Sequence, residues 1–534
     1  MFFRFATANS GFIYQDSLKR VYIYAIFNYF ITKSNIIMEF KDTKLINFLR
    51  SFSVKELIEF ENYLEFSYRK AGRNLVPFLK ILKKFYPEFS SPDFTEQVIF
   101  KKLNPGKSLN VKKDKDTLRT LSSSLMKAVE DFICMSNLDK DKVLKNRILL
   151  GEMLERNLAK HFKQYVKTAE EDLMEDEKNN TYNILENYHL EKLNSGYFLS
   201  VSDFDNFILQ NYKSLEFISA QFWIELLNVA KLTLLSQDVR SKPLKNDLFE
   251  NLINFSDLEK ISQIYEGSKY SLKLRFNYYI YKSLKNNRDM EHFKSARKEF
   301  FENKKSISRK EKNYFYSDLI NILHGQAITH LHGVKEELFF ILKSCLEDKA
   351  YKLSEKEFMN QNFYRMVILT SNSLKEFEWA EMFIDKYTAE LSPQMRDNML
   401  NYSKALVFYG KAEYEKSLNF VSKINYDQVF FKTDVKILML RIYYELDLYE
   451  QALYLADSFK HNIKKSKVLN RNSLEGHNNY LKYYIKLFKL KNDPDINSKN
   501  EADMFKNQIK DEVNLIQRSW LIENADLIIS KLEN

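Results

Sequence analysis

"GKAEYEKSLNFVSKI", residues 410–424, carries a tyrosine at 414 and, after two intervening residues, a serine at 417. The same arrangement recurs in "LKEFEWAEMFIDKY", residues 374–387, as Phe377 and Ala380. It appears again in "YELDLYEQALYLADSF", residues 444–459, as Tyr449 and Ala452. The small residues stand 37 and 35 positions apart, a period typical of stacked helix pairs. A small side chain at one point of a helix lets an antiparallel neighbour approach closely, and the aromatic fills the turn between the two. The recurrence therefore predicts helical hairpins in the C-terminal half, and "HFKSAR", residues 292–297, suggests an earlier, more divergent copy.

Composition extends this expectation to the whole chain. Its 534 residues contain only 10 Gly and 7 Pro, about 3% where roughly 12% is usual. Turn-rich β architectures need those residues at positive-φ and fixed-φ positions, so most of the chain is expected to be helix joined by short polar turns. Hydrophobic residues make up 45% and aromatics 15%, which excludes global disorder. The length suggests several domains or one elongated array. The formal charge of +10 arises from 82 basic and 72 acidic residues, a small excess on a densely charged surface. Two distant cysteines, Cys134 and Cys345, argue against a disulfide framework and fit a reducing, cytoplasmic setting.

Four segments are expected. Residues 1–37 read as an upstream extension from a misassigned start or as a non-structural leader. Their apolar stretch "VYIYAIFNYFI", residues 21–31, is shorter than the ~20 residues that span a bilayer, and no cleavage site follows it. No other apolar run looks long enough for a membrane helix, so membrane insertion is not expected. Residues 38–138 read as a helical bundle. Ser53 and Glu56 form a capping box before Leu57, Phe60, Tyr63 and Leu64. A second helix stops at Pro87. Asp93 can cap a third that ends at Asn104-Pro105-Gly106. Leu118, Leu121, Leu125, Val129 and Phe132 line one face of a fourth. Residues 139–260 form a helical connector, and residues 261–534 the repeat region.

Over residues 360–464 the hairpins resemble tetratricopeptide repeats, although the usual Trp, Gly and closing Pro are mostly missing; a generic array of helical hairpins is the alternative. The resemblance implies an all-α fold in which the bundle is followed by an α-solenoid of tetratricopeptide-like helix pairs. Such solenoids expose a concave surface lined by their first helices. In this register the partner-binding lining is Asn362, Arg365, Asn372, Tyr402, Tyr409, Arg441 and Tyr444. Arg and Tyr are the residue types that interface hot spots favour. The N-terminal elements "FYPEF" (85–89), "VIFKKLNPGKSLN" (98–110) and "LRTLSSSLMKAVEDFI" (118–133) resemble an uncharacterised family of bacterial helical proteins. Asn104 and Leu109 stand where that family places aromatics. The resemblance supports a fold and assigns no reaction.

Gly106-Lys107-Ser108 ends like a phosphate-binding loop. That loop needs a glycine five positions before Gly106, where Lys101 stands, and it should follow a strand. Pro105 also removes an amide donor, so a helix stop is the better reading. From Lys101 to Arg119 the chain has seven basic residues, Lys101, Lys102, Lys107, Lys112, Lys113, Lys115 and Arg119, against Asp114 and Asp116. These could contact phosphates, and a nucleic-acid-associated regulator is the alternative function. The acidic run at 170–180 reads as a solvated helix face, because consecutive helical carboxylates diverge. His324, His330 and His332 lack the i, i+4 spacing of helical zinc ligands. No catalytic or dinucleotide fingerprint is present. No cofactor, metal or catalytic residue is expected. The expected function is a non-enzymatic, cytoplasmic helical-repeat scaffold that binds a protein or peptide.

Overall fold

The computed structural model describes residues 40–68, 75–106, 113–179, 184–237, 247–324, 332–355, 357–425, 429–465, 471–492 and 499–533. The 1–37 leader, Lys107, Lys112 and His330 lie outside them. Every regular element among the described residues is helical, which follows from the scarcity of Gly and Pro. The chain divides into two compact units, Met1–Lys145 and Asn146–Asn534.

The first unit holds α1 (Lys44–Ser51), α2 (Val54–Tyr63), α3 (Val76–Lys83), α4 (Glu96–Leu103) and α5 (Lys113–Lys140). The capping box forms at Ser53 and Glu56, satisfying two amides that the first turn of α2 cannot pair internally. The cap of α4 differs from expectation. Thr95, not Asp93, accepts the Val98 amide at 3.3 Å, because the helix starts at Glu96 and a cap must stand directly before it. Leu118, Leu125, Val129 and Phe132 of α5 are buried against Phe52 and Phe60, with the Phe52, Phe60 and Phe132 rings 5.3–5.9 Å apart. Each fully buried large side chain contributes about 1.5–3 kcal/mol. Lys80 and Lys83 of α3 both pair with Glu61 of α2.

The second unit begins within α6 (Lys142–Glu155) and continues with α7 (Ala159–Asn179), α8 (Ile184–Ser200) and α9 (Phe204–Gln237). Then come α10 (Asp247–Phe255), α11 (Leu258–Ile264), α12 (Ser271–Lys285), α13 (Met290–Asn303), α14 (Arg309–Leu323) and α15 (Val334–Glu347). The last nine are α16 (Gln361–Ser373), α17 (Phe377–Tyr387), α18 (Pro393–Gly410), α19 (Tyr414–Val421), α20 (Val429–Glu445), α21 (Tyr449–Lys465), α22 (Arg471–Asn492), α23 (Lys499–Asp511) and α24 (Arg518–Glu533). Successive helices pack as pairs, and α16 also packs on α18, α18 on α20, and α22 on α24. One continuous core runs from Phe276 to Ile442, and another from Ile437 to Ile528.

The quoted aromatics Phe377, Tyr414 and Tyr449 are the first residues of α17, α19 and α21. The small residues three positions later, Ala380, Ser417 and Ala452, are fully buried. Ser417 donates its hydroxyl to the Ala405 carbonyl at 2.6 Å. Two residues before each of these helices the chain enters the left-handed region, at Lys375, Ala412 and Asp447 (φ 60°, 60° and 55°). The following amide then bonds back across the helix end, as in Glu376 N–H to Ser371 O and Glu413 N–H to Phe408 O, both 2.9 Å. This closure satisfies carbonyls that the last helical turn leaves open. Gly410 lies where a Cβ would come within 2.4 Å of the Phe377 ring and 2.6 Å of Asn372 Oδ1, so the end of α18 touches the turn between α16 and α17.

One expectation is corrected. Helix α9 is long and apolar enough to span a membrane by length and composition, with an 18-residue window of mean hydropathy 1.2. Scattered polar residues interrupt the apolar run along the sequence. Only a third of that window is buried.

Candidate functional site

The chemically distinctive region of the second unit is a polar and aromatic seam on alternate helices α16, α18, α20, α22 and α24. Arg365 of α16 and Asp434 of α20 form an ion pair, Nε to Oδ2 at 2.6 Å. Each side chain keeps only about a fifth of its surface exposed, 23% and 22%. The Tyr402 phenol of α18 bonds the same guanidinium. Burial pushes the Asp434 carboxyl above its ordinary value, against the pull of Arg365. Burial is the largest influence on the Arg365 charge and works against it, but Asp434 and Tyr402 together outweigh it and leave the guanidinium above its usual value. His324, at the end of α14, is driven down by burial and by the nearby charge of Arg365.

A second layer lies about two turns along α20. The Arg441 guanidinium sits 4.6 Å from the Tyr409 ring and 5.4 Å from the Trp520 ring, within cation–π range. Its Nε donates to Tyr409 Oη at 3.3 Å and its Nη1 to Gln517 Oε1 at 3.4 Å. Tyr409 donates to Glu445 Oε1 at 3.1 Å and accepts from Trp520 Nε1 at 3.0 Å. Burial pushes the Tyr409 phenol up to about 12 and raises Glu445 as well. The phenols of this layer stay protonated near neutrality, so they act as hydrogen-bonding groups and not as bases. Tyr444 is buried against Trp520 and Phe488, both at 5.2 Å, and its carbonyl accepts from Lys491 at 2.8 Å.

The structure thus brings Arg365, Tyr402, Tyr409, Arg441 and Tyr444 into one continuous region. Not all of them offer surface. Tyr402 and Tyr444 are buried, at 2% and 3% exposure, and they act as internal packing and hydrogen-bonding groups. Asn362 is exposed at the start of α16. Asn372 turns its Oδ1 inward towards Gly410, buried and without a hydrogen-bond partner among the described residues. Asp434, Glu445, Gln517 and Trp520 are not legible as members of the seam, because they stand 69 to 155 residues from Arg365 in sequence. The rarity of tryptophan, 3 in the chain, was the one available signal for Trp520.

The basic segment of the first unit is built differently. Helix α4 ends at Leu103 and Gly106 takes φ 91°, so the Gly-Lys-Ser triplet follows a helix stop, not a strand. Lys101, Lys102 and Arg119 are exposed. Lys102 lies 5.0 Å from the Phe85 ring, and Arg119 pairs with Asp116 at 3.7 Å. Lys113 and Lys115 belong to the first turn of α5. Among the described residues no group of three or more His, Cys, Asp or Glu side chains is placed to hold a metal ion. No family, curated protein or solved structure matches this chain.

Proposed function

We propose that residues 261–534 form a tetratricopeptide-like solenoid and that the protein is a cytoplasmic, non-enzymatic adaptor binding a protein or peptide along the alternate helices. The observation that carries this reading is the recurrence, at α17, α19 and α21, of one aromatic start, one buried small residue and one left-handed turn. Repeating one hairpin geometry stacks pairs in register, and stacked first helices make an elongated recognition surface. The similarity of the N-terminal elements to the bacterial helical family belongs to the same proposal and supplies the bundle.

Within the seam, Arg441 is the recognition residue best placed for an acidic segment. Its two hydrogen bonds go to neutral groups, Tyr409 and Gln517, so a guest carboxylate adds a charge-assisted bond that they do not supply. Arg365 is already committed to Asp434. Affinity purification from the native cell, at low and moderate salt and with or without nuclease, tests the reading. Arg441→Ala and Asn362→Ala are expected to lose the partner while keeping the helical circular-dichroism signal of the wild type at the assay temperature. Unchanged partner recovery by both variants refutes the groove.

A nucleic-acid reading rests on exposed Lys101 and Lys102 beside the Gly106 turn. It predicts recovery that collapses between 50 and 200 mM salt, by roughly 10³ or more for six or more phosphate contacts, and that disappears with nuclease.

A further inference from the structure

Helix α9 is 34 residues long, or about 51 Å. One side of it is firmly anchored: Ala220, Ile224, Leu227 and Ala230 are buried against Tyr270, Leu274 and Tyr278. Lys231 on that side pairs with Asp318 of α14. Helix α8 packs along part of the remaining surface, where Asn211 donates to Ser195 and accepts from Lys192, and beside it an apolar strip is left open. Ile208, Leu215, Phe222 and Val229 recur every seven residues and are 48%, 61%, 42% and 46% exposed. Ile218 and Leu232, also exposed, fall three residues after Leu215 and Val229. Apolar positions alternating at three and four residues make a 3.5-residue repeat, the seam of a left-handed helix pair.

Together with Phe204 and Tyr212, these residues expose the equivalent of about four fully exposed large apolar side chains. At about 200 Å² each that is roughly 800 Å². Monomeric proteins rarely leave a patch above about 600 Å², and a standard interface buries about 800 Å² on each partner. The seam is also self-complementary. A two-fold axis crossing the open face at the level of Ala220, midway between Ile218 and Phe222, runs two copies of α9 antiparallel, with Ile208 facing Leu232 and Ile218 facing Phe222. Glu225, the one carboxylate in the seam, then stands opposite Leu215, with the hydroxyl of Tyr212 about a turn away. The ionic side chains exposed on this helix are Asp205, Lys213, Glu216 and Glu225. The net +10 of the chain therefore does not make this face repel its copy. Among the described residues, the exposed part of this helix carries a single basic side chain, Lys213, where a helix lying on a membrane surface is flanked by several.

We propose that the open face of α9 is the contact of an antiparallel homodimer, α9 packing on α9 of a second copy of this chain. Sedimentation of the full chain at micromolar concentration tests it. The wild type is expected at dimer mass. Leu215→Glu with Phe222→Glu is expected to raise the dissociation constant at least ~100-fold, with helical content unchanged. An Ile208→Cys/Leu232→Cys variant, in a Cys134→Ser background, is expected to cross-link chain to chain under mild oxidation. That cross-link decides the matter even if the double glutamate variant folds poorly. A monomeric wild type, a dimer that survives the double substitution in folded protein, or a dimer without the cross-link overturns the proposal. So does a monomer that floats with phosphatidylcholine/phosphatidylglycerol vesicles through the same residues, because the face then belongs to a membrane.

Discussion

Lys231 gives the sharpest test of how this protein holds its second unit together. Its side chain is 5% exposed, and it reaches from α9 to Asp318 of α14 at 2.5 Å and to Asn277 of α12. Asp318→Ala removes the only carboxylate within 4 Å of the Lys231 ammonium among the described residues. The Asn277 amide remains, but a neutral acceptor cannot offset the desolvation of a full charge. Breaking a buried pair by deleting one partner costs about 3–5 kcal/mol, and Asp318 keeps 21% of its surface, which places the expected cost near the lower end, about 3 kcal/mol. The paired replacement Lys231→Met with Asp318→Leu removes the stranded charge along with its partner and is expected to return within about 1 kcal/mol of the wild type. Urea unfolding read by tryptophan fluorescence suits the question, since all three tryptophans, Trp223, Trp379 and Trp520, lie in the second unit. A loss below about 1 kcal/mol for Asp318→Ala, or a double variant as unstable as the single one, refutes the claim that this pair is desolvated and holds α9 in place.

At the end of α18 two neighbouring changes are expected to have opposite signs in the same assay. Gly410→Ala drives a methyl into the Phe377 ring and Asn372 and is expected to cost about 1–3 kcal/mol by overpacking. Ala412→Gly relieves a left-handed alanine at φ 60°, a strain of about 1–2 kcal/mol. The greater freedom of glycine in the unfolded chain offsets part of that gain, leaving about 0.5–1 kcal/mol of stabilisation. In the first unit, the hydrogen bond from Lys83 and the charges of Lys83 and Lys80 hold the Glu61 carboxyl below its ordinary value despite some burial. A depressed folded pKa gives stability that is present above the ordinary glutamate pKa of about 4.3 and lost as pH falls through the folded value. Glu61→Gln is therefore expected to flatten the acid limb of stability against pH, followed by circular dichroism between pH 2 and 5. An unchanged acid limb rules out this pair as its source.

Fold class was legible because it depends on local chemistry. A chain with 17 turn-forming Gly and Pro residues in 534 cannot build many sharp turns. The capping box at Ser53 and Glu56 and the hairpin starts at Phe377, Tyr414 and Tyr449 likewise act over three or four residues. Asp93 is the expected cap of α4, and the observed helix start at Glu96 gives that role to Thr95 instead.

The seam was legible only in part. Register along α16, α18 and α20 placed Arg365, Tyr402, Tyr409, Arg441 and Tyr444 on facing helices, but whether a residue at such a position meets solvent or a neighbour depends on the next helices. Helices α22 and α24 cover Tyr444 with Phe488 and Trp520 and bring Trp520 to Tyr409. The same holds for α9. Its composition hides a continuous apolar strip, because whether Leu215 or Leu227 is inside is decided by where α8 and α12 pack.

Sequence by itself determined that this protein is helical, where several of its helices begin and end, and which small residues let neighbours approach. These depend on dihedral preference, capping and periodicity, all short-range along the chain. Tertiary structure alone decided which charges are paired, which tyrosines are interior, and which helix face is left open. Burial and charge pairing are made by groups far apart in sequence, and no local pattern encodes their distance.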